Sequence, residues 1–272
     1  MKKMVLFFGL GFASILASAE NRLFPTDVLN QGELDSRLLL DHQMITSAVS
    51  SKGNPGSQSL NLTTQSVLIR YGLGANWYFG ASLENVSNRT VETNYQNPPS
   101  RIVNTSGRGT QNPTLSATYG FVNDKSNPLS LTGEIQLRPK TTEQTGSYTG
   151  QISTGWKSSD SLKLYGRYSI TVTNDAQIAQ SNNFSFGAYK EITDRFTLIP
   201  QLRYSRFNAT NTFSSTTQYG VGLSSNIEVS QNTYLTPSVS RYWNSSGNSN
   251  DGTFHRDSSA GSNLSLSLYH LF

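Results

Sequence analysis

The chain has 272 residues, of which 21 are Lys or Arg and 17 are Asp or Glu, giving a formal charge of +4. Only 14% is charged and 35% apolar, against about 25% and 45–50% in ordinary soluble domains, while aromatics at 11% exclude a disordered polar chain. With no cysteine, a disulfide scaffold, a thiolate metal site and a lipid-modified N-terminal Cys are excluded.

The first segment reads as a secretory signal. Lys2 and Lys3 precede an apolar stretch from Met4 to Leu16, and Ala17-Ser18-Ala19 forms an A-x-A cleavage site that would leave Glu20 first. Domain boundaries follow: 1–19 as signal peptide and 20–272 as one barrel with a short N-terminal periplasmic segment. Removing Lys2 and Lys3 lowers the positive charge, so the sequence pI near 9.2 implies no nucleic-acid partner. Past the signal, uninterrupted apolar runs such as Leu38-Leu39-Leu40 are far too short for a spanning helix, which needs about twenty residues.

From Gly32 onward the period is two. Leu34, Leu38 and Leu40 share one parity, and Glu33, Asp35, Arg37 and Asp41 the other, as in a strand with one greasy and one charged face. The second segment sets Val67, Ile69 and Tyr71 against Leu68 and Arg70. The third sets Phe79, Ala81 and Leu83 against Tyr78, Ser82 and Glu84. Leu115, Ala117, Tyr119 and Phe121 mark the fourth, and the fifth opposes Leu129, Leu131, Ile135 and Leu137 to Glu134, Gln136 and Arg138. In the sixth, Tyr148, Ile152 and Trp156 face away from Gln151, Ser153 and Lys157.

The seventh segment places Leu162, Leu164, Tyr168 and Ile170 opposite Lys163, Tyr165, Arg167 and Ser169. Phe184 and Phe186 mark the eighth, and the ninth turns Leu198 and Leu202 outward with Gln201 and Arg203 inward. Tyr219, Val221 and Leu223 make the tenth, Leu235 and Val239 the eleventh, and Leu264, Leu266, Leu268 and Phe272 the last. Pro200 and Pro237 fall inside the ninth and eleventh, where bulges are expected to absorb them, and Arg241 sits on the outward parity.

Twelve segments is an even number, and their connections alternate. Short links fall near Gly74-Ala75-Asn76, 123–127, 158–160, Thr193-Asp194 and Ser230-Gln231, and longer polar ones over 43–59, 87–109, 139–146, 173–181, 207–215 and 244–259. Even strand number, short turns at one end and long loops at the other specify an all-β, transmembrane, antiparallel up-and-down barrel of the bacterial outer membrane. The organism is then Gram-negative, with both termini in the periplasm. Trp77, Tyr78, Phe79, Tyr119, Phe121, Trp156, Phe196 and Tyr234 cluster beside the short turns as an interfacial girdle. Phe272 behind Leu268, Leu266 and Leu264 resembles the C-terminal signal read by the barrel-assembly machinery, a partner along with outer-membrane lipids.

Asn21-Arg22-Leu23-Phe24-Pro25-Thr26-Asp27-Val28-Leu29, Gly32-Glu33-Leu34-Asp35, Arg70-Tyr71-Gly72-Leu73, Pro113 to Tyr119, Gly146-Ser147-Tyr148 and Thr193 to Leu198 resemble the phenol-degradation meta-pathway family of outer-membrane proteins. The resemblance implies a transporter barrel with a link to aromatic solutes, and it supplies no catalytic residues.

No catalytic, cofactor or metal motif stands out. His42 and His255 fall in or beside loops and His270 near the barrel end, without H-E-x-x-H or a recognisable Ser-His pattern. The candidate lumen residues are Asp35, Arg37, Arg70, Glu84, Glu134, Arg138, Lys163, Arg167 and Arg203, with Glu33, Asp41 and Lys157 on the same parity. Acids concentrate on the first strand and bases on the sixth to ninth, which face it across the lumen. A cofactor-free passive channel for a small solute is the expectation. A structural or adhesive barrel acting through its loops is the alternative, and a lipid hydrolase using His255 the third reading.

Overall fold

The computed structural model describes residues 23–123, 127–141, 144–176 and 178–272. The signal residues, with Ala17, Ala19 and Glu20, lie outside them. Twelve antiparallel strands close a barrel: β1 (Leu34–Ser51), β2 (Asn54–Gly74), β3 (Trp77–Gln96), β4 (Thr114–Val122), β5 (Leu129–Arg138), β6 (Ser147–Ser159), β7 (Leu162–Thr173), β8 (Ser181–Thr193), β9 (Phe196–Phe207), β10 (Thr216–Ser230), β11 (Thr233–Asn244) and β12 (Ser259–Leu271). Each pairs with its sequence neighbours, and β1 closes on β12 from Asp35↔Leu271 to Thr46↔Ala260. Four shorter strands, Pro99–Asn104, Gly109–Thr110, Gly247–Asn248 and Phe254–Arg256, lie in the longer connections.

The alternation places one row of each strand outside. Leu38, Ile69, Ile135, Ile152, Leu202 and Leu264 are each between 48% and 66% exposed, around the whole circumference. A soluble monomer does not expose apolar surface on that scale. A bilayer-spanning barrel requires it. Small polar side chains form the opposite row, where Thr118, Thr132, Ser153 and Ser267 are buried.

The expected link over 43–59 is instead a continuation of β1 and β2, joined by a tight turn at Lys52-Gly53 with φ of +49° and +81°. Both signs suit a type I′ hairpin. Likewise much of 87–109 is strand, since β3 runs to Gln96 and returns as Pro99–Asn104. With 18, 21 and 20 residues, β1, β2 and β3 are about twice the 9–11 that a tilted strand needs to cross a bilayer. They form a tall wall at the long-loop end.

No bulge forms at either proline. Pro200 pairs with Leu223 on β10, and Pro237 with Leu266 on β12, without a change of register. On the other side of each, the ladder lapses for two residues, at 188–189 against β9 and at 225–226 against β11. A missing N–H can unpair only one flank. The register shifts lie elsewhere, as at Glu191/Thr193 and Glu228/Ser230 beside the short turns.

The girdle also changes membership. Trp77, Phe79 and Phe121 are exposed outside, with the Tyr119 ring tilted against Trp77 at 4.8 Å and edge-on to Phe121 at 5.0 Å. Tyr78 and Tyr234 face inward, Tyr78 buried and Tyr234 packed on Tyr269. His42 is no loop residue either. It sits within β1, paired on both sides, with Nδ1 2.9 Å from Thr63 Oγ1. Arg241 stays outside near the long-loop end of β11, its guanidinium on Ser262.

Ile152 lies near the middle of β6 and points outward, whereas Arg167 points inward from the adjacent strand. Ile152→Arg should therefore cost about 2–4 kcal/mol of barrel stability, and Arg167→Leu should leave folding intact. Heat-modifiable mobility after refolding into vesicles measures both.

Candidate functional site

The chain enters the barrel before it builds it. Residues 23–33 lie inside the short-turn end and cross it from β7 and β8 to β2. The Tyr189 hydroxyl donates to Leu23 O at 2.9 Å. The Phe24 ring meets Tyr189 edge-on at 5.0 Å and Tyr165 at 6.2 Å, with Lys163 Nζ 5.7 Å from its centre. Asp27 caps the turn by accepting from Phe24 N at 2.9 Å, and Thr26 Oγ1 lies 2.6 Å from Ser130 Oγ. Val28 and Leu29 are buried with Tyr78, Tyr269 and Leu271 in one apolar cluster.

At the far wall the backbones bond directly: Gly32 N donates to Gly72 O and Gly72 N to Glu33 O, both at 2.9 Å. Only glycine permits this approach. A Cβ at Gly72 would fall 1.8 Å from Asn30 O, and one at Gly155 would fall 2.5 Å from Phe24 Cε1. Residues 23–33, which precede β1, thus occupy the barrel interior at the short-turn end. Glu33 is no wall residue: it accepts from Asn30 N at 2.7 Å and from Asn30 Nδ2 at 2.6 Å, tying the segment's last turn.

Beside this segment is a cavity of about 330 Å³ lined by Arg37, Arg70, Arg167, Glu134, Gln151 and Tyr78, among others. Arg70 grips Asp35 through Nε at 3.0 Å and Nη2 at 2.5 Å and lies over the Tyr78 ring at 5.3 Å. Asp35 is almost fully buried, Arg70 one-fifth exposed. Among the described residues Arg37 donates to one hydroxyl, Ser267 Oγ at 3.2 Å from both Nε and Nη2, and lies within electrostatic reach of Arg70 and Arg167. The Arg167 Nε is buried with no hydrogen-bond partner.

Other expected lumen residues sit further along the wall. Glu134 accepts from Gln136 and Gln151, both at 3.0 Å, and Arg138 Nε donates to Thr114 Oγ1 at 3.2 Å. Arg203 donates to Gln201 Oε1 at 3.3 and 3.1 Å. Asp41 accepts twice from Asn263 Nδ2 at 2.9 Å, and Glu84 lies on the inward row of β3 with buried Tyr78 and Val86. Lys157 instead pairs with Asp160 at 2.8 Å on the β6–β7 turn.

Among the described residues, the acids of β1 form no ion pair with the bases of β7 across the lumen. Asp35 is neutralised by the adjacent strand, and Asp41 is bonded by an amide of β12. Arg37, Lys163, Arg167 and Arg203 have no carboxylate within ion-pair distance among the described residues. What remains is net positive.

His255 carries no catalytic geometry. Its Nε2 is 2.8 Å from Asp257 Oδ1, and its Nδ1 bonds Asn248 Oδ1. Both ring nitrogens are taken, leaving none to activate a serine hydroxyl. His270 lies 2.8 Å from Thr233 Oγ1 at the opposite rim.

No family model and no curated protein matches the chain. Among solved structures, the COG4313 outer membrane channel from Pseudomonas putida F1 aligns over 93% of this chain and 100% of its own, with a TM-score of 0.61 and 11% identity. A KdgM porin in complex with disordered oligogalacturonate aligns over 85% and 98% at 10% identity, TM-score 0.48. The CymD monoaromatic hydrocarbon channel does so over 90% and 89% at 10% identity, TM-score 0.45. At these identities the likeness is one of fold. Fold and lumen define the class, an outer-membrane β-barrel with an occupied interior.

Asp35→Asn removes the only carboxylate on Arg70 among the described residues and leaves a charged group facing an amide. The midpoint of urea unfolding from vesicles should fall, with a loss of order 1–3 kcal/mol. Asp41→Asn, whose partner is an uncharged amide, should shift it far less.

Proposed function

We propose that the chain is a passive outer-membrane channel for small solutes, with both ends of the barrel chain on the periplasmic side and residues 23–33 as a resident constriction. The carrying observation is the cation-rich cavity held between that segment and the barrel wall. A twelve-stranded barrel with strands about 4.8 Å apart and tilted about 40° has a backbone cylinder about 24 Å wide. Side chains and the inward segment leave a narrow path. Arg37, Lys163, Arg167 and Arg203 bias that path towards anions. Hydrophobic or aromatic solutes are suggested by the resemblance to the phenol-degradation family.

Planar-bilayer recording of refolded protein tests this reading. Small, anion-preferring conductance is expected, and Arg167→Glu with Arg203→Glu should reverse the preference in a salt gradient. Gly155→Leu, which thrusts a side chain into Phe24 and Thr26, should raise conductance several-fold by dislodging the segment. Silence in both wild type and Gly155→Leu would favour the adhesive barrel. That reading draws on the tall wall of β1 to β3, where Arg101 and Glu92 pair at 2.9 Å on the protruding hairpin.

Assembly is proposed to depend on the last residue. Phe272 is exposed on the outward row of β12, its N–H donating to Leu34 O at 2.8 Å and its ring edge-on to His270 at 4.4 Å. Deleting Phe272 should lower the amount of heat-modifiable barrel in outer-membrane fractions while total synthesis is unchanged.

A further inference from the structure

A second cavity, of about 310 Å³, opens at the long-loop end, far from the inward segment. Its wall is aromatic: Phe207, Phe213 and Phe254, with the last two edge-to-face at 6.1 Å. Gln58 and Thr216 add polar groups, and Arg256 reaches in from the short strand Phe254–Arg256. No Asp or Glu is among its lining residues.

Arg256 has no counter-charge. Its Nε is buried without a hydrogen-bond partner, and no carboxylate of the described residues pairs with it. The adjacent acid, Asp257, is held by His255 at 2.8 Å. Burial alone acts on the guanidinium, lowering its pKa, with no acid to oppose it. Across from Arg256 in the pairing is Gly247, whose missing side chain leaves room: a Cβ there would lie 3.9 Å from Arg256 Nη2.

The cavity is built rather than left between loose loops. Ser214 N donates to Asn248 O and Asn248 N to Ser214 Oγ, each at 2.9 Å. Asn250 bonds Thr212 O through its backbone N–H and Thr210 O through Nδ2, also at 2.9 Å. Asp251 accepts from Ser249 and Thr253, which holds its carboxyl at about 2. Connections 208–215 and 245–258 are thereby laced together, so little ordering remains to oppose binding.

An unpaired guanidinium matches a carboxylate, which it can grip through two parallel hydrogen bonds. Aromatic edges match a flat apolar body, and the volume suits a ligand of one or two rings. We infer that this vestibule binds small aromatic carboxylates, with Arg256 holding the carboxylate and Phe207, Phe213 and Phe254 the ring. The inference does not rest on conduction through the lumen, because binding is measured directly.

The test uses the refolded full chain in detergent and 4-fluorobenzoate observed by fluorine NMR. Saturable broadening is expected, displaced by benzoate but not by equal concentrations of acetate or benzyl alcohol. Arg256→Gln should weaken binding at least tenfold. Gly247→Val, which fills the cavity while keeping the charge, should weaken it as well, and Arg101→Gln on the protruding hairpin should not. All variants are first checked for heat-modifiable mobility. Equal displacement by acetate would reduce the site to bare charge, and equal displacement by benzyl alcohol to bare rings. Either result overturns the inference, as does unchanged binding in both Arg256→Gln and Gly247→Val.

Discussion

Inside hydrocarbon a backbone N–H or C=O has no water to bond, and each group left unpaired costs several kcal/mol. The seam between β1 and β12 is where this chain meets that demand, because every other barrel pairing joins strands adjacent in sequence. The seam is continuous for twelve residue pairs, from Asp35↔Leu271 to Thr46↔Ala260. It is finished at the rim by Phe272 N on Leu34 O. A slip of one residue would turn Leu264, Leu266 and Leu268 into the lumen and Tyr269 and Leu271 into lipid. The greasy row of β12 therefore fixes the register that closes the molecule. Both prolines fit the same rule, since each leaves one flank paired.

With facing fixed, the interior charges are fixed too, and their pairing follows the sheet rather than the lumen. Asp35 and Arg70 stand directly opposite on adjacent strands, the closest approach that two side chains on one face can have. A partner across the barrel would have to reach over a backbone cylinder about 24 Å wide. The neighbouring partner wins for Asp35, while Asp41 and Glu134 are held by amides and keep their charge. Arg37 of β1 finds a hydroxyl and Arg203 of β9 an amide, Arg167 of β7 pairs with no carboxylate among the described residues, and the lumen keeps a positive potential that a low-dielectric wall focuses.

Most of the wall was legible from alternation, because lipid on one side and water on the other imprint a period of two. Where that contrast ends, so does the signal. Past Asp41, β1 continues through His42, Gln43, Thr46 and Ser47, and β2 begins with Ser57, Gln58 and Ser59. These stretches stand beyond the bilayer, where neither face needs to be apolar, and they read as loop. Tyr78 and Tyr234 were misplaced for a related reason. A ring beside a short turn suits an interfacial girdle, and only parity, which sets Tyr78 opposite Phe79, marks it as inward. The inward segment has no period at all. Leu23, Phe24, Val28 and Leu29 are irregularly spaced, and the trace they leave is the glycine at Gly72 and Gly155, whose need for bareness appears only when the packing is seen.

The inward segment and the inner wall need each other. Tyr78, Tyr269 and Leu271 are large apolar groups on the water-facing row, which an empty lumen would leave hydrated. Val28 and Leu29 cover them, and each contributes about 1.5–3 kcal/mol by leaving water. Together that is about 3–6 kcal/mol in favour of the inserted state, set against the conformational entropy of ordering residues 23–33. The tyrosine hydrogen bond to Leu23 and the paired glycine backbones at Gly72 add to the favourable side. On the function proposed above, a solute crossing this barrel takes the gap beside the segment, past Arg37, Arg70 and Arg167, or supplies through its own contacts the free energy that moves the segment aside.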